Sequence, residues 1–451
     1  MVARNELIRY RGRRILVLGL ARSGLSAIRL LSAEGALVSG ADENVAVEIP
    51  ADLAEARIHR GPFDPALLDG VEEIVVSPGI PVDHPLLEEA RSGGIALASE
   101  LELGARFAKA HLIGVTGTNG KSTTVTMIGE ILRAAGRTAI VCGNVGVPLC
   151  SVVRDLGPKD VFVLEISSFQ LEMIETFHPE VAGLLNLTPD HLDRYRDVED
   201  YYRFKERIVA NCDAGDTFFY NALDRRCAAV AERFPGKTVP FSSAGPVDGG
   251  VFLDGSRLVR SRAEGWEQFL DRRELGIVGL HNVENALAAV ASLTPFDVPA
   301  EACRRALSEF KGLAHRMEKI ATVRGVTYYN DSKGTNVEAV MMTLKGLDRS
   351  AVLILGGHDK GGDFSKLIPL LSHVKVIVTI GEAAPLIEEA LGSVVPIARA
   401  ATMKDAVEMS ARTAQPGDLV LLSPACASFD MFRNFEHRGE VFAQCVRELP
   451  N

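Results

Sequence analysis

The run Gly114-Val115-Thr116-Gly117-Thr118-Asn119-Gly120-Lys121-Ser122 sets glycines, a lysine and a hydroxyl in an order suited to holding phosphate. Glycines let backbone N–H groups turn toward an anion, and a following helix adds the partial positive charge of its first turn. Lys121 then reaches the outer phosphates, and the Ser122 hydroxyl suits Mg²⁺. Val115 stands where the first Gly of GxxxxGK[ST] belongs, so the loop is a variant form. The competing reading is a Gly-rich strand–helix turn without a ligand.

A nucleotide–magnesium site needs further oxygen or nitrogen donors opposite the loop. Glu165 ends the apolar run Val161-Phe162-Val163-Leu164, which would bring its carboxylate to the ligand-bearing edge of a parallel sheet. His191 follows a strand around Leu184-Leu185 and reaches the same edge. Lys205 interrupts a helical stripe of Val198, Tyr202, Val209 and Cys212. It is either a lysine snorkelling to solvent or a desolvated, reactive amine, and periodicity leaves both open.

A second turn, Gly19-Leu20-Ala21-Arg22-Ser23-Gly24, precedes a helix, and Asp42 ends the next strand. This is an imperfect dinucleotide fingerprint, with Ala21 in place of the middle glycine. It fits a nucleotide-diphosphate site or a plain strand–helix turn.

The elements that must position these groups alternate between short apolar strands and helices, the mark of α/β architecture with parallel sheets. The first unit has strands at 14–18, 36–41 and 73–76, a helix at 24–34, and a close near residue 100. The second has strands at 111–115, 138–142, 160–165 and 181–186, then hairpins or edge strands over 236–278. The third has strands at 326–330, 351–355, 375–380 and 418–422, and a last helix over 428–446. Joints are expected near 99–110 and 310–316.

The chain has 451 residues, enough for about three domains, and its formal charge is −10. That balance disfavours nucleic acid, which needs a cationic face. Seven scattered cysteines without a CxxC pair fit neither a disulfide framework nor a zinc ribbon and suit a reducing, cytoplasmic setting. No apolar run approaches the roughly 18 residues that insert in a membrane.

Taken together, the motifs resemble the Mur ligase family. The likeness rests on Gly117–Ser122, Gly143-Asn144-Val145-Gly146, Leu164-Glu165-Ile166-Ser167-Ser168-Phe169-Gln170-Leu171-Glu172 and Asp190-His191-Leu192-Asp193-Arg194-Tyr195. It continues through His281-Asn282-Val283-Glu284-Asn285-Ala286, His315-Arg316, Asn330–Asn336 and Ser423–Asp430, in the family's order. The resemblance implies three domains. Residues 1–99 form a Rossmann-like domain for a UDP-linked substrate. Residues 100–312 form a P-loop ATPase-type domain with a mainly parallel sheet and a small extra β element. Residues 313–451 form a Rossmann-like domain for the amino acid. The Ser-Ser-Phe-Gln and Ser-Pro-Ala-Cys-Ala-Ser segments favour the member that joins D-glutamate to UDP-N-acetylmuramoyl-L-alanine through an acyl phosphate, acting as a monomer.

By the same resemblance Gly117, Thr118, Asn119, Gly120, Lys121, Ser122, Thr123, Asn285, Arg316 and Asp331 contact ATP. Ser122, Glu165, His191 and Lys205 hold two Mg²⁺ ions, or Mn²⁺, with Lys205 carbamylated. Lys121, His191 and Lys205 are the catalytic set. Gly19, Ala21, Arg22, Ser23, Asp42, Ser77, Gly79 and Asn144 face the UDP-substrate, and Lys333, Thr335, Lys360, Ser428, Phe429 and Phe435 face D-glutamate. The competing readings are another Mur ligase, a folylpolyglutamate synthase, a nicotinamide-dependent oxidoreductase built on the Gly19–Gly24 turn, and a non-catalytic nucleotide switch.

Overall fold

Strands buried on both faces read as unbroken apolar runs, and Ile15-Leu16-Val17-Leu18 is such a run, fully enclosed. In the computed structural model, which describes residues 10–53, 56–191, 194–277, 279–347 and 349–450, it is the middle strand of a five-stranded sheet. The order is Arg57–Arg60, Leu37–Asp42, Arg14–Leu18, Glu73–Val76, Ala96–Ser99, with every pairing parallel.

The second sheet has nine strands. Its parallel part runs Lys237–Ser242, Thr217–Asn221, Val181–Leu184, His111–Thr116, Val161–Glu165, Ala139–Gly143. Val251–Asp254 extends the parallel edge, and Arg257–Arg262 and Gly265–Asp271 close it as an antiparallel meander. The third sheet is ordered Glu318–Val323, Val326–Asn330, Leu419–Leu422, Ala351–Gly356, Val374–Ile380, Ile397–Arg399, and only its first pair is antiparallel. The expected α/β class with three mainly parallel sheets is what the chain forms.

Because the central pairings are parallel, strand ends and the loops after them gather at one edge of each sheet, where open α/β sheets bind ligands. The chemistry-bearing residues sit on those loops. Gly19, Asp42 and Ser77–Gly79 end strands of the first sheet. Gly117–Lys121, Asn144 and Glu165 end strands of the second. Asp331, Lys360 and Ser423–Ser428 follow strands of the third.

The first two sheets belong to one compact unit, Met1–Leu275 with Glu284–Glu309, and the third to another, Gly276–Val283 with Phe310–Asn451. The segment 99–110, where a joint is expected, is largely the helix Glu100–Phe107, whose residues Glu100 to Gly104 are buried. Ser99 caps it, and the Glu102 carboxylate accepts from the amides of Glu175, Thr176 and Phe177. Five hydrogen-bonded strands escaped the sequence reading: Arg57–Arg60, Ala96–Ser99, Thr217–Asn221, Glu318–Val323 and Ile397–Arg399. The last helix is Phe435–Arg447, later than expected, because the Asn434 side chain accepts from the His437 amide and starts it there. Among the described residues no helix is long and apolar enough to cross a membrane, and all seven cysteines are free thiols.

Candidate active site

In the first unit the strand His111–Thr116 delivers the chain to Gly117, and the helix Lys121–Ala134 begins after Gly120, which is left-handed at φ 87. Both glycines have positive φ, 87 at Gly120 and 148 at Gly117, and an added Cβ would also crowd Asn285 Oδ1 (2.4 Å) and Leu185 Cβ (3.0 Å). The loop is held from the next strand's end. The Thr118 amide donates to the Asn186 carbonyl (3.0 Å), and the Asn119 amide donates to Asn186 Oδ1 (2.8 Å). The Thr118 hydroxyl donates to the Thr188 carbonyl at 3.0 Å. Ser122 and Thr123 are buried at the helix start.

Lys121 Nζ donates to the carbonyls of Gly117 and Thr118, both at 2.8 Å. Lys205, near the end of the helix Val198–Glu206, is 2 % exposed and donates to the same Gly117 carbonyl at 2.9 Å. Its Nζ lies 4.8 Å from the centre of the Tyr201 ring. Burial, and then the charge of Lys121, hold its amine well below the usual lysine range, against the opposing pull of Asp190 and Glu165. Lys205 is therefore buried rather than snorkelling to solvent, and Lys205, Lys121, Asp190 and Glu165 are electrostatic neighbours.

Glu165 is buried and accepts from Asn144 Nδ2 at 2.7 Å. His191 is left-handed, φ 54, with its ring 4.9 Å from that of Phe169 and 6.2 Å from that of Tyr201. The Tyr201 hydroxyl in turn reaches Thr118 Oγ1 at 3.2 Å. Thus one aromatic ring, that of Tyr201, touches the phosphate loop, Lys205 and His191. A buried hydroxyl, a carboxylate, an imidazole and a desolvated amine form a donor set that fits hard divalent cations, the amine once it carries an oxygen-bearing group.

At the first sheet, a Cβ on Gly19 (φ 82) would lie 2.8 Å from Ser77 Cβ, and the Ser77 hydroxyl donates to the Gly19 carbonyl at 2.7 Å. The Asp42 carboxylate accepts from the Leu20 and Asn44 amides at 2.6 and 2.8 Å, so it fixes the turn. Ala21 caps the following helix with no side-chain bond, and Ser23 lies in its first turn. Arg22 donates to the Gly146 carbonyl at 3.2 Å, linking this turn to the Gly143–Gly146 motif.

The second unit gathers its candidates separately. Asp331 is buried, which raises its carboxyl pKa; Oδ2 accepts from Ser423 (2.7 Å) and Thr343 (3.0 Å), and Arg316 is an electrostatic neighbour. His281, beside Arg316, is pushed down to about 4, chiefly by burial. Lys333 lies 5.1 Å from the centre of the Phe435 ring. Thr335 is half-buried, Ser428 is buried, and Lys360 is exposed on the loop after Ala351–Gly356. Phe429 is 74 % exposed.

Sequence reasoning gave no role to Arg438. It is fully buried and donates to the Ser332 hydroxyl (2.9 Å), the Ser332 carbonyl (2.8 Å) and the carbonyls of Cys426 and Ala427 (both 3.1 Å). It therefore ties together the loops carrying Lys333 and Ser428. Burial lowers its pKa to about 10. It read as one more cation on a helix, and no local pattern marks it. Glu172, Arg194 and Tyr195 stood inside recognised motifs yet had no assigned partners.

Three family models match the chain: the Mur ligase MurD-like N-terminal domain over residues 13–99, the Mur ligase middle domain over 115–293, and the Mur ligase glutamate ligase domain over 315–426. The UDP-N-acetylmuramoylalanine–D-glutamate ligase of Koribacter versatilis is 41% identical over 445 residues, covering 97% of this chain and 98% of that protein. The enzyme of that name from Syntrophotalea carbinolica is 41% identical over 446 residues, covering 98% of each. Among solved structures, the MurF ligase of Thermotoga maritima in complex with ADP shares the fold with a TM-score of 0.62 at 16% identity, covering 97% of this chain and 96% of that one. A murein peptide ligase from Psychrobacter arcticus does so with a TM-score of 0.56 at 21% identity, covering 98% and 100%.

Proposed function

Because this chain belongs to the Mur ligase family, we propose that the groups around Gly117 activate a substrate carboxylate by phosphorylation so that an amine can attack it. The protein is an ATP-dependent ligase that adds D-glutamate to UDP-N-acetylmuramoyl-L-alanine in the synthesis of peptidoglycan precursors. Relatives of that name match along nearly the whole chain, and that single observation carries the reading.

A carboxylate is a poor electrophile because its leaving group would be oxide. Attack of a carboxylate oxygen on the γ-phosphorus, with ADP departing, replaces that group by phosphate. The D-glutamate nitrogen, as a free amine, then bonds to the carbonyl carbon, and the tetrahedral adduct gives up the extra N–H proton to solvent, expels inorganic phosphate and leaves an amide. Both steps bring anions together, so most of the catalytic work is positioning and charge stabilisation.

In this reading the amides of Gly117 to Ser122 cradle the triphosphate, and Lys121 leaves its loop carbonyls to meet the outer phosphates. Ser122 and Glu165 would hold one Mg²⁺, and His191 and a carbamylated Lys205 the other; Mn²⁺ has the same ligand preference. When bound, the ions supply neutralisation of the converging anions. Asn144, bonded to Glu165, orients that carboxylate from a loop facing the substrate. Asn285, Arg316 and Asp331 are assigned to ATP. Lys333 and Lys360 supply cations for the two carboxylates of D-glutamate, and Phe435, beside Lys333, forms an apolar wall. We assign the UDP-substrate to residues 1–99, ATP to 100–312 and the amino acid to 313–451. ATP and a UDP-linked precursor are cytoplasmic metabolites, which supports a cytoplasmic location.

The reading is tested by following phosphate release from ATP as each substrate is omitted in turn. Sustained release needs all three. Equal release without the UDP-substrate or without D-glutamate would return the protein to the class of nucleotide switches.

A further inference from the structure

The segment that follows His191 does more than carry it. The amides of Arg194 and Tyr195, three and four positions further on, both donate to the His191 carbonyl, at 3.0 and 3.3 Å, and so hold the backbone at His191. Those residues are anchored in turn. Arg194 grips Glu172 with both arms of its fork, Nη2 to Oε2 at 2.7 Å and Nε to Oε1 at 3.3 Å, and the Tyr195 hydroxyl donates to Oε1 at 2.6 Å. The Glu172 side chain is 1 % exposed and that of Arg194 13 %.

The same guanidinium has two further contacts. Its Nη2 donates to the Ile80 carbonyl at 3.1 Å and its Nη1 to the Gly79 carbonyl at 3.4 Å. These belong to the loop after the strand Glu73–Val76 of the first sheet, the loop that carries Ser77 and Gly79. Its planar face lies 4.2 Å from the centre of the Phe169 ring, whose neighbour at 4.9 Å is the imidazole of His191. One side chain thus meets the first-sheet loop, the Glu172 anchor and the ring that packs on His191. A planar group with five donors can do this, and a flexible point charge cannot.

We propose that Arg194 is a positioning residue for the UDP-linked substrate: it locks the Gly79–Ile80 loop to the His191 loop, so that seating the substrate and placing the imidazole are one event. This rests on the ligase reading and adds a residue to it. Arg194 touches no reacting atom in this scheme. It acts through Gly79 and His191, and its loss is felt first in binding of the substrate that the first sheet holds.

The test compares wild type with Arg194→Lys in phosphate-release kinetics, with calorimetric titration of UDP-N-acetylmuramoyl-L-alanine in the absence of ATP. Lysine keeps the charge opposite Glu172 but loses the fork. The expected result is a KM for the UDP-substrate raised by about tenfold or more, with the KM for ATP within about twofold and the calorimetric affinity falling in parallel. A purely structural role would lower the melting temperature and the amount of active enzyme while leaving both KM values in place, and that result overturns the proposal. So does a UDP-substrate affinity equal to that of wild type. Should Arg194→Lys not fold, the pair Arg194→Met with Glu172→Met removes both buried charges together and carries the same expectation and the same contrary results. Failure of wild type itself to release phosphate with the three substrates would defeat the ligase reading before Arg194 is examined, so the two failures are distinct.

Discussion

Lys121 and Lys205 donate to one and the same carbonyl oxygen, that of Gly117, at 2.8 and 2.9 Å. Burial, reinforced by the repulsion of two ammonium groups on one acceptor, holds the Lys205 amine well below the usual lysine range and so favours its neutral form. A neutral amine adds CO₂: nitrogen bonds to carbon, a proton leaves to solvent, and an anionic oxygen ligand results. Lys205→Ala should therefore lose activity by roughly a hundredfold or more and regain part of it with acetate or propionate, which restore the missing oxygens. Phosphate release with and without those acids measures this. Absence of rescue removes the carbamate while leaving the ligase assignment standing.

Lys121 Nζ donates to the Gly117 and Thr118 carbonyls of its own loop, bonds that contribute little to a core. Lys121→Ala should lower kcat by about a thousandfold, the scale of a lost phosphate clamp, and leave the melting temperature nearly unchanged. Circular dichroism melts beside phosphate-release rates separate the two effects. A large drop in melting temperature would recast Lys121 as a structural residue.

Gly120 tests the loop's shape. An alanine there must adopt φ 87 and set its Cβ 2.4 Å from Asn285 Oδ1. Gly120→Ala should cost about 1–3 kcal/mol of stability and raise the KM for ATP. Urea denaturation and ATP titration read both. An unchanged KM for ATP would mean that the Gly120 turn does not shape the nucleotide site.

His281 gives a pH dependence. Its folded pKa, about 4, lies below the unfolded value of 6.5, so the folded state holds a neutral imidazole. As pH falls from 6.5 toward 4 the unfolded chain takes up a proton that the folded chain refuses, and stability declines through that window, by about 2 kcal/mol at pH 5. Urea midpoints at pH 7 and pH 5 should fall further for wild type than for His281→Gln. Equal shifts in both proteins would show that His281 is not the titrating group.

Much of this was legible in the sequence, for physical reasons that differ by element. The parallel strands at 14–18, 111–116, 161–165 and 351–356 are buried on both faces and so appear as unbroken apolar runs between turn residues. Peripheral strands such as Arg57–Arg60 and Ile397–Arg399 are short and half-exposed, and their identity comes from pairing with a neighbour distant in the chain. Among site residues, Lys121 and Ser122 are marked by local spacing. Lys205 carried two readings until the burial of its helix face decided between them. Arg438 and the Arg194–Glu172 pair could not be read, because what makes them matter is a set of partners far away in sequence.

The central claim is that the chain joins D-glutamate to UDP-N-acetylmuramoyl-L-alanine at the expense of ATP. Its most direct test is phosphate release from ATP in the presence of that UDP-substrate, with a panel of amino acids that includes L-glutamate, D-aspartate, lysine and diaminopimelate beside D-glutamate. The account predicts strong release with D-glutamate alone, matched mole for mole by the amide product. Equal release with L-glutamate or diaminopimelate, or release with no amide formed, would contradict it.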